Sequence, residues 1–171
     1  MLEVAVATAD DAEIIETLLD NVFGAGRQAK ASYQFRAGVA PVSALSLVAK
    51  DNNELVGSIQ YWPMSLGDQT VLLLGPLAIA LHRQKQGIGR MLTEMSLGLA
   101  EKMGFRVVFL VGDPGYYQHL GFVPAPRSVT MPHEDPARLQ VRCLSEEHDS
   151  SLAGELCIWH NQPVSEPHQA V

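Results

Sequence analysis

Two glycines stand where an apolar, strand-like stretch gives way to a helix-like pattern. Because glycine has no Cβ atom, the backbone N–H groups around Gly87 and Gly89 can approach an anion at the positive end of the helix dipole. Three cations accompany this loop: Arg83, Lys85 and Arg90. These residue types at this spacing predict a site for a phosphate or pyrophosphate group.

Two other kinds of phosphate-binding loop do not match this stretch. A Walker loop ends in Gly-Lys-Ser/Thr, whereas Gly89 is followed by Arg90 and Met91. A dinucleotide fingerprint needs a third glycine at the position where Leu92 stands. A tight turn with solvated cations explains most isolated Gly-x-Gly matches, so the loop alone leaves both interpretations open.

A second group of residues with chemical potential follows the next predicted strand. Asp113 and Pro114 predict the N-terminus of a short helix, which carries Tyr116 and Tyr117. A phenol has an ordinary pKa of about 10, so it stays protonated at neutral pH and can donate a proton. The alternative for Tyr117 is a packing role, and we expect Tyr116 to pack.

The spacing of apolar residues predicts the elements that position both motifs. Strands are expected over residues 2–7, 44–50, 55–66, 70–79, 106–111, 139–144 and 155–159. Turn residues separate the three strands between 44 and 79, which predicts an antiparallel meander. Because a strand, a helix and a strand in succession form a crossover, 106–111 should run parallel to 70–79. Pro76 cannot donate a ladder hydrogen bond, so we expect a bulge or a splayed position there.

Helices are predicted on either side of the meander. The capping signal of Thr8 and Asp11 begins one helix, which ends at Gly24. A longer helix ends at Gly104, and these apolar residues should face the core: Ile88, Met91, Leu92, Met95, Leu99 and Met103. Between Gly26 and Gly38 we expect a further helix or a helical loop.

Composition limits the classes of function. The 171 residues carry a net charge of −7, with 47% hydrophobic and 18% charged residues. These values predict one globular domain over 1–171, with its motif core at about 70–124 and a loose tail at 161–171. The negative charge repels a polyphosphate chain, so we expect no nucleic-acid partner. The six histidines lack metal-ligand spacing, so we expect no metal.

The cellular location can be predicted from what the chain lacks. The N-terminus has no basic and apolar leader pattern, and the apolar stretch 71–81 is too short to span a bilayer. Cys143 and Cys157 are the only cysteines and do not form a CxxC pair. We therefore expect a cytoplasmic protein with free thiols and no membrane partner.

The two motifs together are more specific than either one alone, and they indicate a protein family. Gln84-x-x-Gly87-x-Gly89 and Tyr117-x-x-x-Gly121-Phe122, each after an apolar strand, resemble the two signature motifs of the GCN5-related N-acetyltransferase (GNAT) family. The runs 23–27, 74–78 and 110–117 look like the YhbS-like branch of that family. The resemblance covers about residues 2–124. It implies an α/β fold with a mixed, mostly antiparallel sheet, one splayed parallel pair, and helices on both faces.

The resemblance also implies a ligand and roles for named residues. Acetyl-coenzyme A would be the cosubstrate, bound where the two parallel strands part. Its pantetheine arm would pair with Leu77, Ala78 and Ile79. Its phosphates would lie on Gln84, Lys85, Gln86, Gly87, Ile88, Gly89 and Arg90. Tyr117 would be the general acid that protonates the departing thiolate.

The general base departs from the family pattern. Many members carry a glutamate on the central strand, but residues 71–79 contain no carboxylate. Water or Asp113 could take the proton, although capping alone explains Asp113. We therefore assign no base, and we expect no covalent intermediate, because Cys143 and Cys157 lie outside both motifs.

The predicted function is direct transfer of an acetyl group to a primary amine on a small-molecule or peptide acceptor. The alternatives are a coenzyme A-binding sensor without turnover and a transferase of another acyl group. Five residues are candidates for the acceptor pocket, with packing or solvation as the alternative for each: Arg27, Tyr33, Arg36, Tyr61 and Trp62. The apolar stretch 156–159 either pairs across a homodimer interface or completes the chain's own sheet.

Overall fold

The computed structural model describes residues 1–145 and 152–160. Within this part the strands are β1 (Leu2–Val6), β2 (Leu47–Asp51), β3 (Glu54–Leu66), β4 (Gln69–Ile79), β5 (Val107–Val111), β6 (Val123–Pro124), β7 (Val129–Thr130), β8 (Leu139–Cys143) and β9 (Gly154–Ile158). The α-helices are α1 (Ala12–Phe23), α2 (Ile88–Lys102) and α3 (Pro114–Tyr117). The predicted tail at 161–171 lies outside the described residues.

The sheet is mixed and mostly antiparallel, as predicted. Its strand order is β1-β2-β3-β4-β5-β8-β6, and along it only the β4–β5 pair is parallel among the described residues. The C-terminal half of β3 pairs with β9, which also runs parallel to β7. The stretch at 156–158 therefore completes the chain's own sheet.

Alternating side chains of β4 feed two buried clusters on opposite faces of the sheet. Leu72 and Leu74 belong to the cluster that includes apolar residues of α1 and α2. Val71 and Leu73 belong to the other cluster, which Phe35 from the helical segment at 31–36 helps to cover. Both faces of the central strand are thus buried, which agrees with its apolar sequence.

The predicted strand at 44–50 begins later than expected. Residues 43–45 form a 3-10 turn, and β2 starts only at Leu47. The N–H group of Leu45 donates to the Val42 carbonyl at 3.0 Å, and Ser46 donates to the Ser43 carbonyl at 3.1 Å. The turn places the side chain of Leu45 in the core with no exposed surface.

The predicted core face of α2 was wrong for three of its residues. Met95, Leu99 and Met103 are exposed by 46%, 36% and 48%. The buried face turns instead toward Thr93 and Ser96, whose hydroxyls donate to backbone carbonyls of the preceding turn at 2.8 and 2.7 Å. Because those bonds satisfy the hydroxyls, small polar side chains can lie inside while long apolar ones lie outside.

The parallel strands separate after a short paired region. Pairing between β4 and β5 is confined to Leu72 with Val108 and Leu73 with Phe109. Farther along, β4 stays with β3 up to Ile79, while β5 stays with β8 up to Val111. A register shift on β3 between Ile59 and Tyr61 lies opposite this point. The splayed position that Pro76 predicted is therefore present.

No helix in residues 1–145 and 152–160 combines the length and apolar character that crossing a bilayer requires.

The missing side chain of Gly57 allows the first turns of α2 to rest directly on β3. An ideal Cβ at Gly57 would lie 3.0 Å from Ile79 Cδ1 and from Leu92 Cδ1. We expect Gly57→Val to overpack this contact and lower the free energy of unfolding by about 1–3 kcal/mol, measured by urea denaturation. Gly98→Ala on the same helix has nothing within 4 Å of the new methyl group, so it should instead gain about 0.5–1 kcal/mol. Equal effects of the two variants would contradict this account.

Candidate active site

The glycine loop lies between the end of β4 and the start of α2. Gly87 caps the helix with φ of 82°, a left-handed conformation that glycine adopts without strain. Gly89 is buried in the first turn. The N–H groups at the start of a helix have no acceptor within it, so residues 88–90 offer donors and a partial positive charge at one point.

The side chains of the loop mostly brace its own backbone. Gln84 Nε2 donates to the Ile79 carbonyl and Gln86 Nε2 donates to the His82 carbonyl, each at 3.3 Å. Arg83 donates to Asp51 Oδ2 at 2.8 Å and to Gln86 Oε1 at 2.9 Å. The loop is thereby fastened to the end of β2, and the Arg83 charge is partly neutralised.

The other two loop cations lie closer to solvent. Arg90 pairs with Glu94 at 2.8 Å on the exposed side of α2. Lys85 is exposed and has φ of 63°. An ion pair of two exposed side chains contributes little free energy, so the Arg90 charge can be redirected to a ligand without a large loss.

Tyr116 covers the first turn of α2. An ideal Cβ at Gly89 would lie only 2.5 Å from Tyr116 Oη and 3.5 Å from Ile79 Cγ1, so only glycine allows this approach. The Tyr116 ring also packs edge-on against Tyr117, with 4.8 Å between the ring centroids. Its side chain is nevertheless 46% exposed. Tyr116 therefore packs as expected on one side only, and its other side faces solvent.

Tyr117 is held by a capped turn and by a glycine. Asp113 Oδ1 accepts from the Gly115 N–H at 2.8 Å, which confirms the predicted cap. The Tyr117 ring lies against the Cα of Gly112, where an ideal Cβ would be 2.6 Å from Cε2. Burial, with a smaller contribution from the nearby Tyr116, raises the pKa of Tyr117 to about 12, and Arg138 opposes the shift. The phenol therefore stays neutral and able to donate a proton throughout the physiological range.

A cavity of about 450 Å³ opens where β4 and β5 part, and we call it the acceptor cavity. Its walls come from 73–77 of β4, 111–113 at the end of β5, Tyr117, the two 3-10 helices within 27–36 and a loop at 133–138. Of the predicted ligand and catalytic residues, Leu77 and Tyr117 line it. The glycine loop at 84–90 does not line it and lies at the far end of β4.

The five residues predicted for the acceptor pocket divide into lining and buried residues. Arg27, Tyr33 and Arg36 line the acceptor cavity. Tyr61 belongs to the core instead, since it has no exposed surface and its hydroxyl lies 2.7 Å from Ser96 Oγ. Trp62 does not line the cavity but packs against Arg36, whose guanidinium carbon is 5.1 Å from the ring.

Arg27 is a structural cation although it reaches the acceptor cavity. Its side chain is 4% exposed and donates to Asp20 Oδ1 at 2.9 Å and to the Tyr33 hydroxyl at 3.0 Å. It also pairs with Glu16. These bonds tie the helical segment to α1 and leave the guanidinium with its charge balanced.

Sequence reasoning missed three residues of the cavity wall: His133, Glu134 and Arg138. They come from a loop that lies outside both motifs in the sequence. Sequence spacing carried no signal for them, because the fold alone brings this loop beside the parted strands. Within the described ranges, no group of three or more metal-ligating side chains is arranged to hold an ion.

In sequence, the chain is similar to a family of acetyltransferases and to one of the curated N-acetyltransferases. Residues 43–124 match the family model of an acetyltransferase (GNAT) domain. The uncharacterized N-acetyltransferase YjhQ of Escherichia coli (strain K12) is 24% identical over 152 residues, which cover 83% of this chain and 84% of that protein.

Solved structures share the fold over nearly the whole chain. The GNAT family N-acetyltransferase YhbS from Escherichia coli, solved in complex with CoA, superposes with a TM-score of 0.80 at 24% identity, covering 92% of this chain and 89% of its own. A GNAT family acetyltransferase from Brucella melitensis, in complex with acetyl-CoA, gives a TM-score of 0.71 at 22% identity, covering 94% and 96%. Both likenesses extend past residue 124, where the resemblance in sequence ended.

The contact between Gly112 and Tyr117 predicts how the phenol ionises. A methyl group from Gly112→Ala would force the ring toward solvent, so the pKa of Tyr117 should fall from about 12 toward about 10. The ¹³Cζ resonance of Tyr117, assigned through its loss in Tyr117→Phe, follows this ionisation in a pH titration. Gly98→Ala should leave the resonance unchanged. Identical titrations of Gly112→Ala and the wild type would show that Gly112 does not set the ring position.

Proposed function

Because the chain belongs to the GNAT family of N-acetyltransferases, we propose that it transfers an acetyl group from acetyl-coenzyme A directly to a primary amine. One observation carries the proposal: the gap between β4 and β5 has the glycine loop at one end and a cavity with the partly buried phenol of Tyr117 at the other. A long ligand with phosphates at one end and a thioester at the other fits that order.

Acetyl-coenzyme A would bind along the side of β4 that β5 leaves. From Leu74 to Ile79 this strand has no partner on its β5 side among the described residues. Backbone groups of Leu77, Ala78 and Ile79 would pair with the pantetheine amides, since unpaired strand donors and acceptors need partners when covered. Gln84 to Arg90 would hold the phosphates, chiefly through backbone N–H groups, because Gln84 and Gln86 use their side chains on the loop itself.

In the proposed reaction the amine nitrogen attacks the thioester carbonyl carbon, the new C–N bond forms and the C–S bond breaks. Tyr117 donates its hydroxyl proton to the departing sulfur and recovers a proton from solvent. A strand N–H near Leu77 or Ile79 would stabilise the negative charge that develops on the carbonyl oxygen.

The proton lost by the amine has several routes. Asp113 accepts a backbone hydrogen bond as a helix cap, which makes it a weak candidate. His133 and Glu134 are the other titratable groups that the loop adds to the cavity wall, and water can reach the same space. We therefore leave the general base unassigned.

Transfer of an acyl group other than acetyl is retained as an alternative reaction.

A coenzyme A sensor without turnover is the second candidate, because β4 carries no carboxylate from Gln69 to Ile79. Calorimetric titration with acetyl-coenzyme A and a thiol-release assay with a library of amines separate the candidates. Binding with thiol release and an acetylated product by mass spectrometry supports the enzyme. Binding without thiol release supports the sensor, and no binding by the folded protein refutes both.

We further propose that residues 1–171 act as one domain and that the protein works in the cytoplasm. The acceptor would be a small molecule or a peptide.

Removing the proposed acid should slow the chemical step while binding is retained. We expect Tyr117→Phe to lower kcat by about 100-fold, with the KM for acetyl-coenzyme A within about twofold of wild type, since general acids contribute roughly 10²–10⁴. Steady-state thiol release from pH 6 to about 10 measures both. The raised pKa of Tyr117, about 12, means that wild type should lose no activity through phenol ionisation in this range. An unchanged rate in Tyr117→Phe across this range would refute the assignment.

The approach to the first turn of α2 should depend on Gly89. Gly89→Ala puts a methyl group among the donors of residues 88–90 and against Tyr116, so we expect the Kd for acetyl-coenzyme A to rise about tenfold or more. Calorimetry measures the change. Gly98→Ala, farther along the same helix, is the matched control and should bind as wild type does. Equal Kd values for both variants and wild type would argue against phosphates at this turn.

A further inference from the structure

Arg36 stands in the acceptor cavity in a setting unlike that of any structural cation nearby. Its guanidinium carbon lies 4.0 Å from the centre of the Tyr33 ring and 5.1 Å from that of Trp62. Its Nε atom is buried and has no hydrogen-bond partner within the described part of the chain. Burial lowers the pKa of Arg36, although an arginine keeps its charge. A buried cationic donor without an acceptor is costly unless something else supplies one.

Arg27 on the same segment shows what a structural arginine looks like here. It has a carboxylate on each side, from Glu16 and Asp20, and a hydroxyl from Tyr33. In contrast, none of the ion pairs formed between described residues involves Arg36. The Tyr33 hydroxyl interacts with the Arg36 guanidinium and opposes the fall in its pKa, and the rings of Tyr33 and Trp62 orient it. The Nε–H group of Arg36 is still left without an acceptor.

The charge of the acceptor cavity points the same way. Four cations line it, and one of them, Arg27, is already balanced by Glu16 and Asp20, which leaves Lys30, Arg36 and Arg138. The lining carboxylates are Asp113, which caps α3, and Glu134. Three cations against two carboxylates are a local excess of positive charge in a chain with a net charge of −7, and this excess favours an anionic ligand.

Arg36 lies close to the part of β4 where the thioester would react. An ideal Cβ on Gly75 would be 3.8 Å from Arg36 Nη2, so the guanidinium reaches β4 just where its free side begins. Leu77 lies two residues farther along the same strand. An amine that reaches the thioester beside Leu77 and Tyr117 therefore ends only a few bonds from Arg36.

We propose that the acceptor is a small amine that carries an anionic oxygen group, a carboxylate or a phosphate, and that Arg36 binds this group in the acceptor cavity. The inference rests on the acetyl transfer proposed above. The planar guanidinium donates paired N–H bonds to two oxygens of either group, and a low-dielectric wall strengthens them.

Matched amines test the proposal. β-Alanine is compared with β-alaninamide, and O-phosphoethanolamine with ethanolamine, so each pair differs in the anionic group. We expect the ratio of kcat/KM for the anionic over the neutral amine to fall at least about tenfold in Arg36→Gln relative to wild type, as expected for loss of a charged hydrogen bond. Because the two enzymes are compared on the same pair, the intrinsic reactivity of each amine cancels. The pair with the larger effect distinguishes carboxylate from phosphate.

Two further variants separate recognition from folding and from general charge. Arg36→Lys keeps the charge but lacks the planar fork, so it should retain part of the preference and also serves if Arg36→Gln does not fold. Lys102→Gln removes the same charge at the exposed end of α2 and should leave the ratio unchanged. Wild-type turnover with no dependence of the ratio on Arg36 would overturn the inference and leave the proposed acetyl transfer standing.

Binding decides the inference if no amine is acetylated. The Nε–H resonance of Arg36, assigned with Arg36→Lys, is followed by NMR during titration of the coenzyme A complex with β-alanine, with O-phosphoethanolamine and with their neutral partners. A saturable shift with an anionic compound alone supports the anion site, even though absent turnover would refute the enzyme. No shift with either anion overturns the inference.

Discussion

The parting of β4 from β5 is the constraint on which the rest of the structure depends. Two hydrogen-bonded residue pairs join these parallel strands, and then each turns to its other neighbour. Separation leaves strand N–H and C=O groups that must be satisfied by water or by a ligand, so it costs free energy in the isolated protein. The antiparallel ladders to β3 and β8 hold the strands apart, and Gln140 adds a bond to the Gly112 carbonyl at 3.1 Å. A cleft thus arises from the sheet itself.

Burial beside this cleft shifts the pKa values of Tyr117 and Arg36 in opposite directions. It raises the pKa of Tyr117 because the phenolate would be poorly solvated, and it lowers the pKa of Arg36 because the guanidinium is poorly solvated. The results differ in practice, since the phenol is kept neutral whereas arginine stays charged. The poorly solvated wall of the cleft therefore keeps Tyr117 as a neutral proton donor. It also leaves Arg36 as a charged group that an anionic partner would stabilise.

Much of the fold could be predicted because its signals are local. The apolar alternation of β3 and β4, the turn residues between them, and the proline after Asp113 each specify their own element. The face of α2 could not be found in this way, because Thr93 and Ser96 are buried through bonds to their own helix that apolar spacing does not reveal. For the same reason the sequence left two interpretations open for Tyr61, the acceptor pocket or packing, and the structure places it in the core, where its partner Ser96 lies on another element.

The candidate site also contains residues that short motifs indicate and residues that only the fold brings together. The glycine loop and Tyr117 stand in short motifs, so the sequence indicated them, and their roles stay predictions. The difference between Arg27 and Arg36 depends on which carboxylates α1 brings near, which no spacing within the segment encodes. His133, Glu134 and Arg138 depend on the return of a distant loop to the cleft.

The approach of the Tyr116 hydroxyl to Gly89 bears on how the proposed ligand would bind. In the proposed complex, a pyrophosphate at the first turn of α2 would lie beside this side chain, which is 46% exposed. The space left for the nucleotide would then depend on the rotamer of Tyr116. Occupancy of the cleft and the conformation of one aromatic residue would be linked.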